Sequence, residues 1–293
     1  MIVVTTPTGD IGGRVLQHLA RTPEEVRVIA RAPSKLPASL HRRLDIVAGS
    51  HADADVIGRA LEGATRVFWL APGSPVAPSA HAAYVGFSDA FCAALPGSGV
   101  THVVGISALG RGWGKPAGLV TASLAMDDAI AATGVHYRAL ACASLMDNLL
   151  RQVEAIRESG LFYAPTPGDL LLPHVAKDDV ARIASDLLLE TDWQGVAEVP
   201  LHGPEDLSFD AMAETMSSVL GRPIGFREMP MDAFAAMMRQ SGASDGMTRA
   251  YVEMFSAKND GLDAMTTPAG RASMTPTTFR RWCEAELRPV VAD

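Results

Sequence analysis

The chain of 293 residues is poor in cysteine. It has three, Cys92, Cys142 and Cys283, widely spaced and odd in number. They form no CxxC pair and no disulfide framework, so a reducing compartment fits best. A basic surplus is also missing: 25 Lys and Arg stand against 33 Asp and Glu, a formal net charge of −8. Broad capture of nucleic acid or of an anionic membrane surface needs basic patches, so neither is an expected partner. No apolar run approaches the roughly 20 residues that span a bilayer. No basic head precedes an apolar stretch at the N-terminus, as in a secretion signal. A cytoplasmic protein is the expectation. The eight histidines contain no HExxH or similar spacing, so no metal is expected. Core-forming residues are plentiful, at 48% hydrophobic, and a chain of this length needs no covalent staple.

Short apolar runs alternate with longer segments of helical periodicity. Residues 2–5, 26–30, 45–48, 67–70, 102–107 and 135–140 read as strands, several without polar alternation. Continuous apolar strands separated by helices indicate a parallel sheet covered on both faces. Helices are expected near 12–20, 54–62, 79–95, 118–133 and 146–159, with Gly63, Gly97 to Gly99 and Gly134 suited to helix ends. This rhythm is α/β, a doubly wound parallel sheet (Rossmann) over residues 1–150. Residues 151–293 are expected to form a smaller, mainly helical C-terminal part, a substrate cap interleaved with that core. It should contain a helix at 178–190 capped by Asp178 or Asp179, a strand at 196–201, and a helix at 209–220 capped by Ser208. Six methionines fall between Met229 and Phe255 at helical spacing. They read as a helical cap with a plastic core, compatible with a lid over an adaptable apolar pocket.

The first strand runs into Thr6-Pro7-Thr8-Gly9-Asp10-Ile11-Gly12, where a helix begins. Gly9 lets the backbone approach a pyrophosphate, Gly12 permits close helix–strand packing, and the free amides of the helix start attract phosphate charge. Thr6 stands where such turns usually carry their first glycine. Placement between strand and helix favours dinucleotide binding over a purely structural turn. At the end of the second strand, where an acid would take the ribose hydroxyls of NAD, the chain has Arg31. Lys35 follows, and no acid comes before Asp45. Cations at that tip pair with the 2′-phosphate of NADP, so NADP(H) is the expected cofactor; a solvated surface arginine is the alternative.

With the turn and the arginine come further stretches: Gly63-Ala64 before Val67-Phe68-Trp69-Leu70, Val103-Val104-Gly105-Ile106-Ser107, Met146-Asp147-Asn148, Asp179-Val180-Ala181, His202-Gly203-Pro204-Glu205 and Thr275-Pro276-Thr277-Thr278-Phe279. In order and spacing the chain resembles the NmrA-like family of atypical short-chain dehydrogenase/reductases, along nearly its whole length. The resemblance implies an NADPH-dependent oxidoreductase whose nicotinamide meets a small or medium aromatic or quinone-like substrate in a cleft between the two parts. It implies that Leu70, Ala71, Pro72 and Ser107 approach the cofactor from strand ends, and that Cys142 to Leu145 flank the nicotinamide. Asn148 and Asp179 match recurring family positions, with structural capping as the alternative to contact.

Typical members of the wider superfamily carry Tyr and Lys four residues apart as the acid for carbonyl reduction. Here the residues four beyond Tyr84, Tyr137, Tyr163 and Tyr251 are Ser88, Ala141, Pro167 and Phe255, and Ser123 aligns with the usual lysine, on the helix leading to Asp127. A quinone-type acceptor tolerates this loss, because its reduced form is a stabilised anion that solvent can protonate. The alternatives are a non-catalytic NADP(H)-binding sensor or regulatory module, and a non-redox enzyme on the same scaffold. Ser107, His81 and His174 are the catalytic candidates. Ser107 lacks the second glycine of a nucleophile elbow, which makes it a cofactor-loop residue rather than a hydrolase nucleophile. Trp113, in a glycine-rich loop, could cover a flat substrate or anchor the loop. Met146, Asn148 and Tyr163 complete the expected substrate side. A homodimer is compatible with the sequence but not written in it.

Overall fold

The computed structural model describes residues 1–265 and 275–292. Its centre is a seven-stranded, fully parallel sheet. Strands β1 (Ile2–Val4) and β2 (Val26–Ala30) flank helix α1 (Asp10–Leu19), and β3 (Leu44–Ala48) and β4 (Arg66–Trp69) flank helix α2 (Ala54–Leu61), with only short 3-10 turns between β2 and β3. Next come α3 (Phe87–Ala94), β5 (His102–Ala108), α4 (Leu119–Ala131) and β6 (His136–Cys142). Further along, β7 (Ser144–Leu145), α5 (Val153–Ser159), β8 (Leu161–Ala164) and β9 (Leu172–Val175) precede α6 (Lys177–Leu189) and β10 (Val196–Leu201). The sheet order is β10-β6-β5-β4-β1-β2-β3, so the winding reverses between β1 and β4. In doubly wound sheets ligands bind beyond the strand ends at such a reversal.

Alternation along the strands splits the core into two layers. Val4, Phe68 and Val104 pack with α1 and α6, through Val15, Leu16, Leu19, Val180 and Leu188. Val3, Val67 and Val103 pack with α2, α3 and α4, through Ile57, Phe91, Met126 and Ile130. Both faces are therefore apolar, which is why these strands show no polar alternation. The six expected strands all form, and β10 adds an edge strand beside β6, its residues 196–201 paired with 137–142.

The remaining elements are β11 (Asp206–Leu207), α7 (Phe209–Leu220), β12 (Gly225–Glu228), α8 (Met231–Gln240), α9 (Asp245–Asn259), α10 (Phe279–Trp282) and α11 (Arg288–Ala292). Two small sheets, β11-β9-β7 and β12-β8, join them to the main body. A separate core of Leu149, Ile156, Phe162, Met216, Phe279 and Trp282 holds this part together. Helix α9 packs on α4 and α8 on α9, with Phe234 and Phe255 edge to face at 5.1 Å. Of the six methionines in this stretch Met247 is fully buried, whereas Met237 is 40% exposed. Ser208 caps α7 by accepting from the Ala211 amide. The expected cap of α6 is a correction. The helix starts at Lys177 with Ala176 as its N-cap, and Asp178 and Asp179 lie in its first turn. Asp178 pairs with Arg14 instead, and Asp179 accepts from the amide of Thr277. Among the described residues no helix is long and apolar enough to cross a membrane.

Candidate functional site

The turn after β1 is built around Thr6. It is the one non-glycine residue among those described with positive φ, at 50°. That is the left-handed conformation that a glycine takes without steric cost, and a β-branched residue there is strained. Gly12 is demanded by the same turn: a Cβ on it would lie 2.3 Å from the Thr6 carbonyl oxygen and 2.7 Å from that of Thr5. Gly9 forms the N-cap of α1, and no side chain caps the helix. The amides of the first turn have no intrahelical acceptor, and they gather beside Thr8, Gly9 and Asp10, all exposed. The buried Oγ1 of Thr6 finds no hydrogen-bond partner. Ile11 turns inward to the core. An uncapped helix start with exposed first-turn residues suits the oxygens of a phosphate.

A cavity of about 500 Å³ extends from this turn to the segment after β2, lined by Thr8, Gly9, Asp10, Gly13, Arg14 and Lys35 among others. Arg31, at the tip of β2, and Lys35 are exposed. Neither makes a hydrogen bond or ion pair with the described residues, which leaves both cations available to a ligand. The charges on the turn itself are committed. Asp10 accepts from Lys177 Nζ at 2.6 Å, and that contact holds its carboxyl below the ordinary range. Arg14 reaches Glu286 at 2.8 Å and Asp178 at 3.5 Å, and the Lys177 amide donates to Asp147. The start of α6 and the C-terminal segment therefore brace the turn after β1 and the start of α1. Sequence reading missed Lys177, because the signal is a contact across 167 positions.

At the strand crest, Leu70 is held from two sides. Its amide donates to Thr5 Oγ1 at 3.0 Å, and its carbonyl accepts from His51 Nε2 at 3.0 Å. His51 lies edge-on to Trp69 and Phe87, and burial pushes its imidazole down to about 4, so it is neutral. Ala71 is half-buried and Pro72 exposed. Ser107, near the end of β5, donates to Asp127 of α4. Cys142, near the end of β6, is buried, and its thiol is pushed up to about 12 by that burial. Leu145, on β7, is half-buried beside it.

The other candidates lie apart. His81 is exposed at the start of a π-helical turn over Ala82–Gly86. His174 is buried on β9, donates from Nδ1 to the Leu172 carbonyl, and is pushed down to about 4 by burial. Trp113 packs against Val120, Ala257 and Leu262, with Lys115 Nζ 5.1 Å above its ring and its own Nε1 buried and unpaired. Met146 belongs to the core of the C-terminal part, Tyr163 lies half-buried on β8, and Asn148 is exposed. The structure thus places Trp113 and Met146 with two different cores, Tyr163 on a half-buried strand and Asn148 at the surface. Near Ser144 it instead brings a group the sequence did not reveal: Lys258 of α9, 3.4 Å from Ser144 Oγ and 2.7 Å from the buried Asp263. Among the described residues no cluster of three or more His, Cys, Asp or Glu could hold a metal.

Residues 7–191 match the model of the family described as NAD(P)H-binding. Over 285 residues the chain is 28% identical to the (4-alkanoyl-5-oxo-2,5-dihydrofuran-3-yl)methyl phosphate reductase of Streptomyces griseus, covering 96% of each. It is 24% identical over 286 residues to the NAD(P)H azoreductase of Xenophilus azovorans, 96% of this chain and 97% of that one. The solved triphenylmethane reductase of a Citrobacter species, complexed with NADP(H), superposes with a TM-score of 0.77 at 19% identity, covering 96% of this chain and 98% of that one. An NADPH-dependent quinone oxidoreductase of Escherichia coli gives a TM-score of 0.75 at 21% identity, with coverage of 96% and 98%. At these identities the two structures share the fold.

Proposed function

The chain belongs to the NAD(P)H-binding family, and from that premise we propose that it is an NADPH-dependent oxidoreductase of the NmrA-like type, acting on a small or medium aromatic or quinone-like substrate. One observation carries the cofactor: the uncapped start of α1, at Thr8, Gly9 and Asp10, shares a cavity with Lys35, near the exposed Arg31. The turn would hold the pyrophosphate, and Arg31 with Lys35 the 2′-phosphate that distinguishes NADP from NAD. When bound, the nicotinamide supplies a hydride to the acceptor. The residues nominated to surround it are Leu70, Ala71 and Pro72 just after β4, Ser107 of β5, and Cys142 to Leu145 from the end of β6 into β7. With its sulfur buried and protonated, Cys142 serves as an apolar wall rather than a nucleophile. Reductases of a furanone phosphate and of azo compounds are similar along the whole chain, which supports reduction of a flat conjugated acceptor.

A second reading, a non-catalytic NADP(H) sensor, is favoured by one feature: α4 supplies no lysine, and the Ser107 hydroxyl is already committed to Asp127. Oxidation of NADPH followed by its absorbance, against a panel of quinones and azo dyes, separates the two. Turnover with any acceptor supports the reductase. Tight NADPH binding without turnover on the whole panel rejects it.

A further inference from the structure

Below the crest of β5 lies a buried carboxylate that cofactor binding by itself does not require. Asp127 is 2% exposed on the inner face of α4, and among the described residues no cation pairs with it. Its two oxygens have separate partners. Oδ1 accepts the Tyr137 hydroxyl of β6 at 2.6 Å, and Oδ2 accepts the Ser107 hydroxyl of β5. Gly105 makes room for this arrangement, since a Cβ there would lie 2.2 Å from the Tyr137 oxygen. Around the carboxylate stand Arg111 in the loop after β5, Glu198 on β10 and Cys142 on β6, with Cys92 of α3 facing Tyr137. Burial is the largest influence and pushes Asp127 up to about 6, against the two hydroxyl donors and Arg111.

A hydroxyl has one proton to give and lone pairs to accept with. While Asp127 is ionised it claims the Ser107 proton, so Ser107 can show a ligand only an acceptor. If Oδ2 carries a proton, that proton goes to Ser107 Oγ, and the Ser107 proton is free to turn outward. Tyr137 can keep donating to Oδ1 in both states, because the oxygens are shared out one to each partner. We propose that Asp127 is a positioning residue that sets the hydrogen-bond polarity Ser107 offers to a ligand at the strand ends. The ionised state suits an amide NH₂, such as the carboxamide of a nicotinamide. The neutral state suits a carbonyl oxygen or oxyanion. This rests on the cofactor reading above, which brings Ser107 to the ligand.

Asp127→Asn imitates the neutral state permanently, with its amide NH₂ toward Ser107 and its carbonyl toward Tyr137. The dissociation constant of NADPH is measured by nicotinamide fluorescence for wild type and variant from pH 5 to 8. The ratio between the two proteins removes the titration of the 2′-phosphate itself. The variant should bind about tenfold more weakly at pH 8, the worth of one hydrogen bond. The ratio should fall toward one at pH 5, with a midpoint near that of Asp127. If the variant does not fold, Ser107→Ala against wild type should show the same decline. A ratio independent of pH overturns the inference and leaves Asp127 a strand-to-helix tie. Failure of the wild type to bind NADPH at any pH overturns the cofactor reading and takes this inference with it.

Discussion

Gly12→Ala places a methyl group where the start of α1 crosses the turn. Its Cβ would lie 2.3 Å from the Thr6 carbonyl oxygen, 2.7 Å from the Thr5 carbonyl oxygen and 2.7 Å from Thr6 Oγ1. Two of these atoms are backbone, so no rotamer change relieves them. Either the end of β1 or the helix must move, and the helix carries Val15, Leu16 and Leu19 into the core. Overpacking a tight core costs about 1–3 kcal/mol. With Thr6 already at φ 50°, the turn has little freedom left to absorb the shift, so the upper end applies. At roughly 2–4 °C per kcal/mol for a large domain, Tm should fall by about 6–12 °C. Gly9→Ala is the control. Its backbone is extended, with φ −91° and ψ 173°, and its Cβ would come no closer than 3.3 Å to the Thr6 carbonyl. It should cost less than about 1 kcal/mol while still obstructing the approach of a phosphate. Thermal unfolding by circular dichroism and NADPH titration on both variants separate packing from ligand approach. Equal losses of stability at the two positions, or a Gly12→Ala protein as stable as wild type, would refute the close crossing.

Arg31→Ala should weaken NADPH roughly 10–100-fold, the range of a charge-assisted hydrogen bond, and leave NADH nearly unchanged; equal losses would reject the 2′-phosphate assignment. Lys258→Met strands Asp263, whose side chain is 1% exposed, and should cost about 3–5 kcal/mol in urea unfolding. Adding Asp263→Leu should recover most of that loss, and a double variant no better than the single one would contradict a desolvated pair. His174 and His51 are pushed from 6.5 down to about 4 by burial, so each supports the fold above pH 6.5 and loses that contribution as pH falls through about 4. Asp127, raised to about 6, has the opposite sign, favouring the fold at low pH and losing that as pH rises through about 6. Each histidine is worth up to roughly 3 kcal/mol, so stability should decline from pH 6.5 to 4. His174→Gln should flatten that decline, and a decline as steep as that of wild type would show that His174 titrates normally.

The parallel sheet was legible because its strands carry their signal locally. Most of the inner ones are short runs buried from both sides, such as Ile2–Val4 with every side chain in a core, and most are followed by a helix with its own period. The small sheets gave no such signal. Strand β7 is two residues long, and β12 owes its place to pairing with β8, some sixty positions earlier. The cap of α6 failed for a related reason. Asp178 and Asp179 are good capping residues by type, but Arg14 and the Thr277 amide claim them from far along the chain. Tertiary partners outbid the local preference, and nothing within α6 announces them.

The same division runs through the site. The turn after β1 is contiguous, so its placement between strand and helix could be read even though Thr6 departs from the glycine pattern. The departure turns out to be one of residue type rather than of backbone, since Thr6 adopts the left-handed conformation that the pattern's glycine would take. What requires that conformation is the crossing of Gly12 beneath it, and Gly12 is present. The missing Tyr and Lys are a different kind of departure. No residue substitutes for them in place. Ser123 keeps the helix position, and the ionisable group lies one turn further on, at Asp127, joined to Ser107 and Tyr137 across 20 and 10 positions. That convergence depends on β5 and β6 being neighbours with Ser107 level with Ala141, which strand order decides and local sequence does not. Lys258 of α9 meets Ser144 of β7 across 114 positions, a contact between distant segments that no local stretch announces. A cofactor site held by one contiguous turn can persist while such contacts change. This accounts for a chain whose coenzyme is legible in a dozen residues and whose acceptor is not legible in any local stretch.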